Sequence, residues 1–148
     1  YLHSGGFKTA TGKGRFMPLG YRESEELPDE EYPLILTTDR SLFHYHTSTM
    51  TRKVEGLNVL HKEELLKINP EDSEKYGVND GEVVEVSSRR GKIRVKVDVT
   101  DICPPGVVSM TFHFFESPVN ELTNAALDPL AKIPETKVCA VKVSKIVK

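Results

Sequence analysis

Gly81-Glu82-Val83-Val84-Glu85-Val86-Ser87-Ser88-Arg89-Arg90-Gly91-Lys92-Ile93-Arg94-Val95-Lys96-Val97-Asp98-Val99 is the stretch on which the fold turns. Its second half alternates without a break. Ile93, Val95, Val97 and Val99 fall on one side and Lys92, Arg94, Lys96 and Asp98 on the other, the period-2 pattern of a strand with one face on a core and one in water. Gly81 to Ser88 is a second β-branched run, and Arg89-Arg90-Gly91 between the two supplies a hairpin turn. Upstream, Asn69-Pro70-Glu71-Asp72 places an N-cap side chain, a proline at the first helical position and carboxylates in the first turn; Gly77 then ends a helix of about two turns. Downstream, Pro104-Pro105-Gly106 turns the chain into a strand from Val107 to Phe112. Lys137 to Ile146 supplies a last strand, with Cys139, Val141 and Val143 on one side. Many short strands and few helices predict a closed β-barrel.

The N-terminal third is less regular. Phe7 to Phe16 is expected to form two short extended pieces around Ala10-Thr11-Gly12-Lys13-Gly14, and the acidic segment from Tyr21 to Glu31, with Pro28, a solvated linker. Then Pro33-Leu34-Ile35-Leu36 runs into Thr37-Thr38-Asp39-Arg40-Ser41-Leu42-Phe43-His44-Tyr45-His46-Thr47-Ser48-Thr49-Met50-Thr51. A buried strand that empties into an arginine, imidazoles and hydroxyls suits a polyanionic ligand rich in heteroatoms. If this segment is extended, His44 and His46, two apart, share a face.

With 148 residues, 38% of them hydrophobic and 28% charged, the chain is long enough for one ordinary globular domain with a core of its own. A formal net charge of −2 gives no general electrostatic footprint for nucleic acid. Cys103 and Cys139 lie far apart, outside any metal-ligand spacing, and are expected to be buried thiols. No run approaches the ~20 apolar residues of a membrane span, so direct membrane insertion is not expected. The first residue is Tyr1 rather than methionine, and the chain is expected to be a single domain, residues 1–148, cut from a larger cytoplasmic polypeptide, with 1–31 as leading segment and linker.

The order of the pieces carries a more specific signal. Ile68-Asn69-Pro70-Glu71-Asp72, Tyr76-Gly77-Val78-Asn79-Asp80-Gly81-Glu82-Val83-Val84, Arg90-Gly91-Lys92-Ile93 and Pro105-Gly106-Val107-Val108-Ser109-Met110 together resemble the molybdopterin-dinucleotide-binding domain. Arg40, His44-Tyr45, Ser48-Thr49-Met50-Thr51, Met110-Thr111-Phe112-His113-Phe114-Phe115, Asn120-Glu121-Leu122-Thr123 and Ile133-Pro134-Glu135-Thr136-Lys137-Val138-Cys139 narrow the resemblance to the C-terminal domain of formate dehydrogenase catalytic subunits, in the dimethyl sulfoxide reductase superfamily. Thr11-Gly12-Lys13-Gly14-Arg15-Phe16 is similar to the way the chain enters that domain.

The resemblance implies a mainly β fold with short helices, a six-stranded double-psi β-barrel. It further implies binding of bis-molybdopterin guanine dinucleotide, carrying molybdenum or tungsten, as part of an oxidoreductase that oxidises formate to carbon dioxide. Arg40 and Ser41 would lie just past the first barrel strand, where a guanidinium gives planar, charge-assisted hydrogen bonds to pterin or phosphate oxygens. His44, Tyr45 and His46 would follow on the same loop as donors, acceptors or proton relays. Asn120 would offer an amide edge to guanine or pterin, with Thr136 and Lys137 closing the opposite side and Lys137 neutralising pyrophosphate charge. Thr136 stands where close relatives often have tyrosine, and His46 is a position that differs among them. No catalytic residue and no metal ligand is expected here. The ligand to the metal and an iron-sulfur cluster belong to other parts of the family's catalytic subunit, and electron-transfer subunits are its partners.

Plainer readings stand beside these. His44 and His46 with Asp39 could form a zinc site, though a tetrahedral set needs further ligands. Asn120 could cap a helix over Glu121 to Leu127, and Phe112, Phe114 and Phe115 could simply pack. The cofactor domain of a nitrate reductase or a formylmethanofuran dehydrogenase is the nearest alternative function. A non-catalytic double-psi-barrel interaction module is the alternative of another class.

Overall fold

The computed structural model describes residues 1–146. Six strands close into a barrel: β1 (Leu34–Asp39), β2 (Leu65–Ile68), β3 (Val83–Ser87), β4 (Lys92–Val99), β5 (Val107–Thr111) and β6 (Cys139–Lys145), in the spatial order β1-β5-β2-β4-β3-β6. β1 pairs parallel with β5 and β2 parallel with β4, whereas every other neighbouring pair is antiparallel. This mixed, closed sheet is the double-psi barrel expected from the sequence. Parallel neighbours need long crossover connections, and the short helices α1 (Glu55–Leu60) and α2 (Pro70–Tyr76) ride on two of them.

The central hairpin forms as its alternation dictates. Val83 faces Lys96 and Ser87 faces Lys92 across the β3–β4 pair. Ile93, Val95 and Val97 are buried, Val99 packs partly against the core, and Lys92 and Arg94 are exposed. Leu34, Leu36, Leu66, Ile68, Val84, Val86, Val108, Met110 and Val141 complete the barrel interior with essentially no exposure. Cys103 and Cys139 are buried free thiols, as expected.

α2 begins and ends where its signals place it. The Asn69 side chain accepts from the Glu71 N–H at 3.0 Å, Pro70 opens the helix, and Gly77 closes it in the left-handed region at φ 65°. Asn69 also donates through Nδ2 to the carbonyl of Cys103 at 2.8 Å, and the buried Asp72 carboxylate accepts from the Gly106 N–H at 2.6 Å. The helix start is thereby tied to the turn that launches β5.

Several local expectations are corrected. Phe7 to Phe16 forms turns and no strand: Gly12 adopts φ 67°, Thr9 Oγ1 donates to the Lys13 carbonyl at 2.8 Å, and this exposed segment has no sheet beside it to pair with. Residues 121–127 contain no helix beyond the last residue of a 3-10 turn at Val119–Glu121. There the chain is held by Asn124, which donates to the Val138 carbonyl at 2.9 Å and accepts from the Ala126 N–H at 2.9 Å, a local bonding pattern that competes with a helix. Residues 21–31 are more than a solvated connection. Glu26 is held by Arg89 and Arg90 of the β3–β4 turn, and Asp29 bonds the N–H groups of Glu31 and Tyr32 at 3.0 and 2.8 Å. α1 and β2 had no distinct sequence signal; α1 buries no residue and β2 has only four. Among the described residues no helix is long and apolar enough to cross a membrane.

Glu64 is a deeply buried carboxyl at the barrel end. Glu64, directly before β2, is 4% exposed and accepts from the Thr111 N–H at 2.7 Å, with its second oxygen 2.5 Å from Thr111 Oγ1. Burial dominates over these hydrogen bonds and pushes its carboxyl from 4.5 up to about 7.

Two stability outcomes follow from these contacts. Asn69→Ala removes a cap and leaves the Cys103 carbonyl without its donor, so unfolding free energy is expected to fall by about 2 kcal/mol, seen as a loss of roughly 4–8 °C in melting temperature; an unchanged melt would contradict the assignment. Folded Glu64 keeps a proton that the unfolded chain releases above pH 4.5, so its burial lowers stability as pH rises from there to about 7. At about 1.4 kcal/mol per pKa unit the loss amounts to roughly 3 kcal/mol. Glu64→Gln has no proton to lose. Its melting temperature relative to wild type is expected to climb across that window and level off above it, whereas a difference independent of pH would rule the account out.

Candidate functional site

β1 and β5 run in parallel register, Asp39 opposite Thr111, so the loops that follow them leave the barrel at the same end. The first loop carries Arg40 to Ser48 and the second Phe112 to Asn120. Arg40 is exposed, has no carboxylate partner among the described residues, and lies with its guanidinium carbon 5.5 Å from the centre of the Phe112 ring. Such a placement holds the fork by cation–π attraction while leaving its N–H donors available.

The two loops are joined through His113. Its Nε2 accepts from the backbone N–H of Ser41 at 2.8 Å, and its Nδ1 donates to the carbonyl of His46. This pattern assigns the neutral Nδ1–H tautomer, and burial lowers the imidazole below its ordinary value despite the opposing bond to His46. His113 is 1% exposed and acts as an internal clasp. Sequence reasoning did not single it out as a site residue, although it stands two residues past the end of β5.

His44 and His46 do not share a face. Tight turns, with His46 at φ 46° and Ser48 at φ 61°, replace the extended conformation that would have aligned them. His44 is buried and both nitrogens are occupied: Nε2 donates to the His61 carbonyl at 2.6 Å and Nδ1 accepts from the Thr51 hydroxyl at 3.1 Å. Tyr45 and His46 are exposed, with ring centroids 4.4 Å apart. Ser41 is half-buried, and its Oγ accepts from the Phe43 N–H at 3.2 Å.

Asn120 sits exposed in the 3-10 turn on the rim of a groove of about 180 Å³ shared with Thr47, Phe112, His113 and Phe115. Phe114 is buried, as a packing residue should be, but Phe115 is 79% exposed and lies beside the Arg52 guanidinium. From the far loop, Lys137 reaches back to donate to the carbonyl of Thr38, which brings its ammonium to the end of β1 just before Arg40. Thr136, half-buried, precedes it.

Beneath these loops lies a polar layer. Asp39 accepts from Lys67 Nζ at 2.9 Å and from Ser109 Oγ at 2.8 Å, so the carboxylate nearest the site is already neutralised by a cation. Arg40 and Lys137 therefore present positive charge at an end where the nearest acid is paired with Lys67 through Oδ2, its Oδ1 being buried without a hydrogen-bond partner among the described residues. Among the described residues no group of three or more His, Cys, Asp and Glu side chains could hold a metal ion, so the zinc reading has no support in the geometry. The donor set fits a dinucleotide carrying phosphates and heterocycle edges: two cations for charge, hydroxyls and an amide for shape.

Comparisons with known proteins identify the family of the domain. The family described as Molydopterin dinucleotide binding domain matches residues 34–140. The alpha subunit of an F420-dependent formate dehydrogenase from Methanocaldococcus jannaschii is 50% identical over 145 residues, 98% of this chain and 22% of the relative. That of formate dehydrogenase 2 from Methanococcus maripaludis is 48% identical over 98% of this chain and 21% of the relative. A periplasmic nitrate reductase from Desulfovibrio desulfuricans is 40% identical over 81% of this chain and 16% of its own length. Acetylene hydratase from Pelobacter acetylenicus has the same fold, with a TM-score of 0.68 at 16% identity over 78% of this chain and 18% of that one. The chain thus spans about a fifth of the length of the curated formate dehydrogenase relatives it matches. With the family matched over residues 34–140, from the start of β1 to the second residue of β6, this chain belongs to the molydopterin dinucleotide binding domain family.

Proposed function

We propose that this domain binds a molybdopterin guanine dinucleotide of a bis-pterin molybdenum or tungsten centre, within a formate dehydrogenase-like oxidoreductase that converts formate to carbon dioxide. The observation that carries the reading is the convergence of Arg40 and Lys137 at the end of β1, with Arg40 free of any carboxylate among the described residues. When bound, the cofactor supplies the metal centre that exchanges two electrons; the chain's own part is binding and orientation.

Arg40 would give paired N–H donors to phosphate or pterin oxygens, and Lys137 would add a point charge. Ser41, Tyr45, His46, Asn120 and Thr136 would supply hydroxyl, imidazole and amide partners around them. His44, whose nitrogens are both in use, serves by fixing the loop that presents its neighbours. The metal's protein ligand and an iron-sulfur cluster would come from other parts of the parent subunit, with electron-transfer subunits as partners. The formate substrate is supported by the names of the relatives at 50% and 48% identity. The nitrate reductase relative, at 40%, favours the second reading, the same cofactor role in a different oxidoreductase.

In the full-length protein, Arg40→Ala and Lys137→Ala are each expected to weaken cofactor binding by roughly 10- to 100-fold, the worth of one charged hydrogen bond. Pterin and metal per polypeptide would fall while the melting profile stays close to wild type. Undiminished cofactor content in both variants would remove the proposal and leave a non-catalytic interaction module as the better reading.

A further inference from the structure

The segment from Leu122 to Val138 carries Thr136 and Lys137 and contains no regular strand or helix. Its middle folds back on itself: Glu135 N–H donates to the Ala126 carbonyl at 3.0 Å and Asp128 N–H to the Ile133 carbonyl at 2.9 Å. Besides the buried Leu122 side chain and the bonds of Asn124 and Lys137, the acidic strap that precedes β1 holds this excursion to the barrel.

Glu26 lies at the centre of the attachment, with its side chain 11% exposed. One oxygen accepts from Arg89 Nη1 at 2.9 Å and Arg90 Nη1 at 2.8 Å. The other accepts from Arg90 Nη2 at 2.8 Å and the Ala140 N–H of β6 at 3.0 Å. Burial opposes its ionisation, but the bonds from Arg90, Ala140 and Arg89 outweigh that and hold the carboxyl below the usual range. Arg90 passes the constraint on, donating twice to the Leu122 carbonyl, at 3.1 and 2.7 Å, where the excursion starts. At the other end, Glu135 accepts from the Glu25 N–H at 3.1 Å and from Asn124 Nδ2 at 3.3 Å, one residue before Thr136. Two consecutive strap residues therefore fasten both ends of the same loop.

We propose that Glu26 is a positioning residue for the cofactor site: through Arg90 and Leu122, together with Glu25 and Glu135, it sets the loop that holds Lys137 over the end of β1. The inference rests on the cofactor reading above. Glu26 touches no part of the proposed ligand site itself. A purely local stabilising clamp would not need to reach both ends of the Lys137 loop, and the strap does so with adjacent residues.

The test uses the full-length protein as wild type, Glu26→Ala, Glu26→Gln, Lys137→Ala and the Glu26→Ala/Lys137→Ala double variant. It measures amide hydrogen exchange, and pterin and metal per polypeptide after dialysis. Glu26→Ala is expected to speed exchange in residues 122–138 about tenfold while β4 and β5 stay protected, and to lower cofactor content about as far as Lys137→Ala does. Glu26→Gln, which keeps one of the two acceptor oxygens, should lie in between. The double variant should retain as much cofactor as Lys137→Ala alone, because Glu26 acts through Lys137.

Full cofactor content in Glu26→Ala alongside depleted Lys137→Ala would overturn the positioning role and leave the cofactor reading intact. Undiminished content in Lys137→Ala, Glu26→Ala and the double variant would overturn the positioning role, and undiminished content in Arg40→Ala as well would overturn the cofactor reading with it. Loss of protection throughout the barrel in Glu26→Ala and Glu26→Gln alike, with additive depletion in the double variant, would reduce Glu26 to a fold-stabilising contact.

Discussion

The parallel pairing of β1 with β5 is the constraint on which the rest of the molecule depends. It places Asp39 beside Thr111, so that two segments distant in sequence, Arg40–Ser48 and Phe112–Asn120, leave the barrel side by side. An antiparallel pairing would send them to opposite ends. Only because they share an end can His113 bridge the Ser41 N–H and the His46 carbonyl, and only there does the Phe112 ring come under Arg40. The chemistry of the loops thus follows from strand direction before any side chain is considered.

Within that end of the barrel the polar residues divide their labour by depth. Buried His44 and His113 use both ring nitrogens to fasten backbone to backbone or backbone to hydroxyl. Lys67 and Ser109 satisfy one oxygen of Asp39. Exposed Arg40, Tyr45, His46 and Asn120 stand above them. A site for a large anionic ligand gains from this order, since preorganised loops lose less freedom on binding and a cation whose neighbouring acid is already paired presents more of its charge.

Much of the barrel was legible in the sequence because its strands obey local rules. The β4 alternation and the Asn69–Gly77 helix signals depend on neighbours a few residues apart, and the structure reproduces them. The arrangement of strands was legible only through family resemblance, since no local pattern states that β1 pairs with β5. The failures have one physical origin. The acidic run before β1 carries no mark that Glu26 meets Arg90 across more than sixty residues of chain, and composition alone favours a solvated linker. Glu64 looks like one more helix-flanking acid until its burial beside Thr111 is seen. Loops such as Phe43–Ser48 take their shape from tertiary hydrogen bonds, so a reading that assumed extension could not align its histidines correctly.

Closure of the barrel has a consequence for how the domain meets other polypeptide. Each of the six strands has a neighbour on both sides, from β1 against β5 and β6 round to β3 against β6. The main-chain hydrogen bonds that an open sheet leaves available for strand addition are consumed internally. Association must then be written in side chains and loop surfaces, whose contacts discriminate between partners residue by residue and do not template the stacking of like chains.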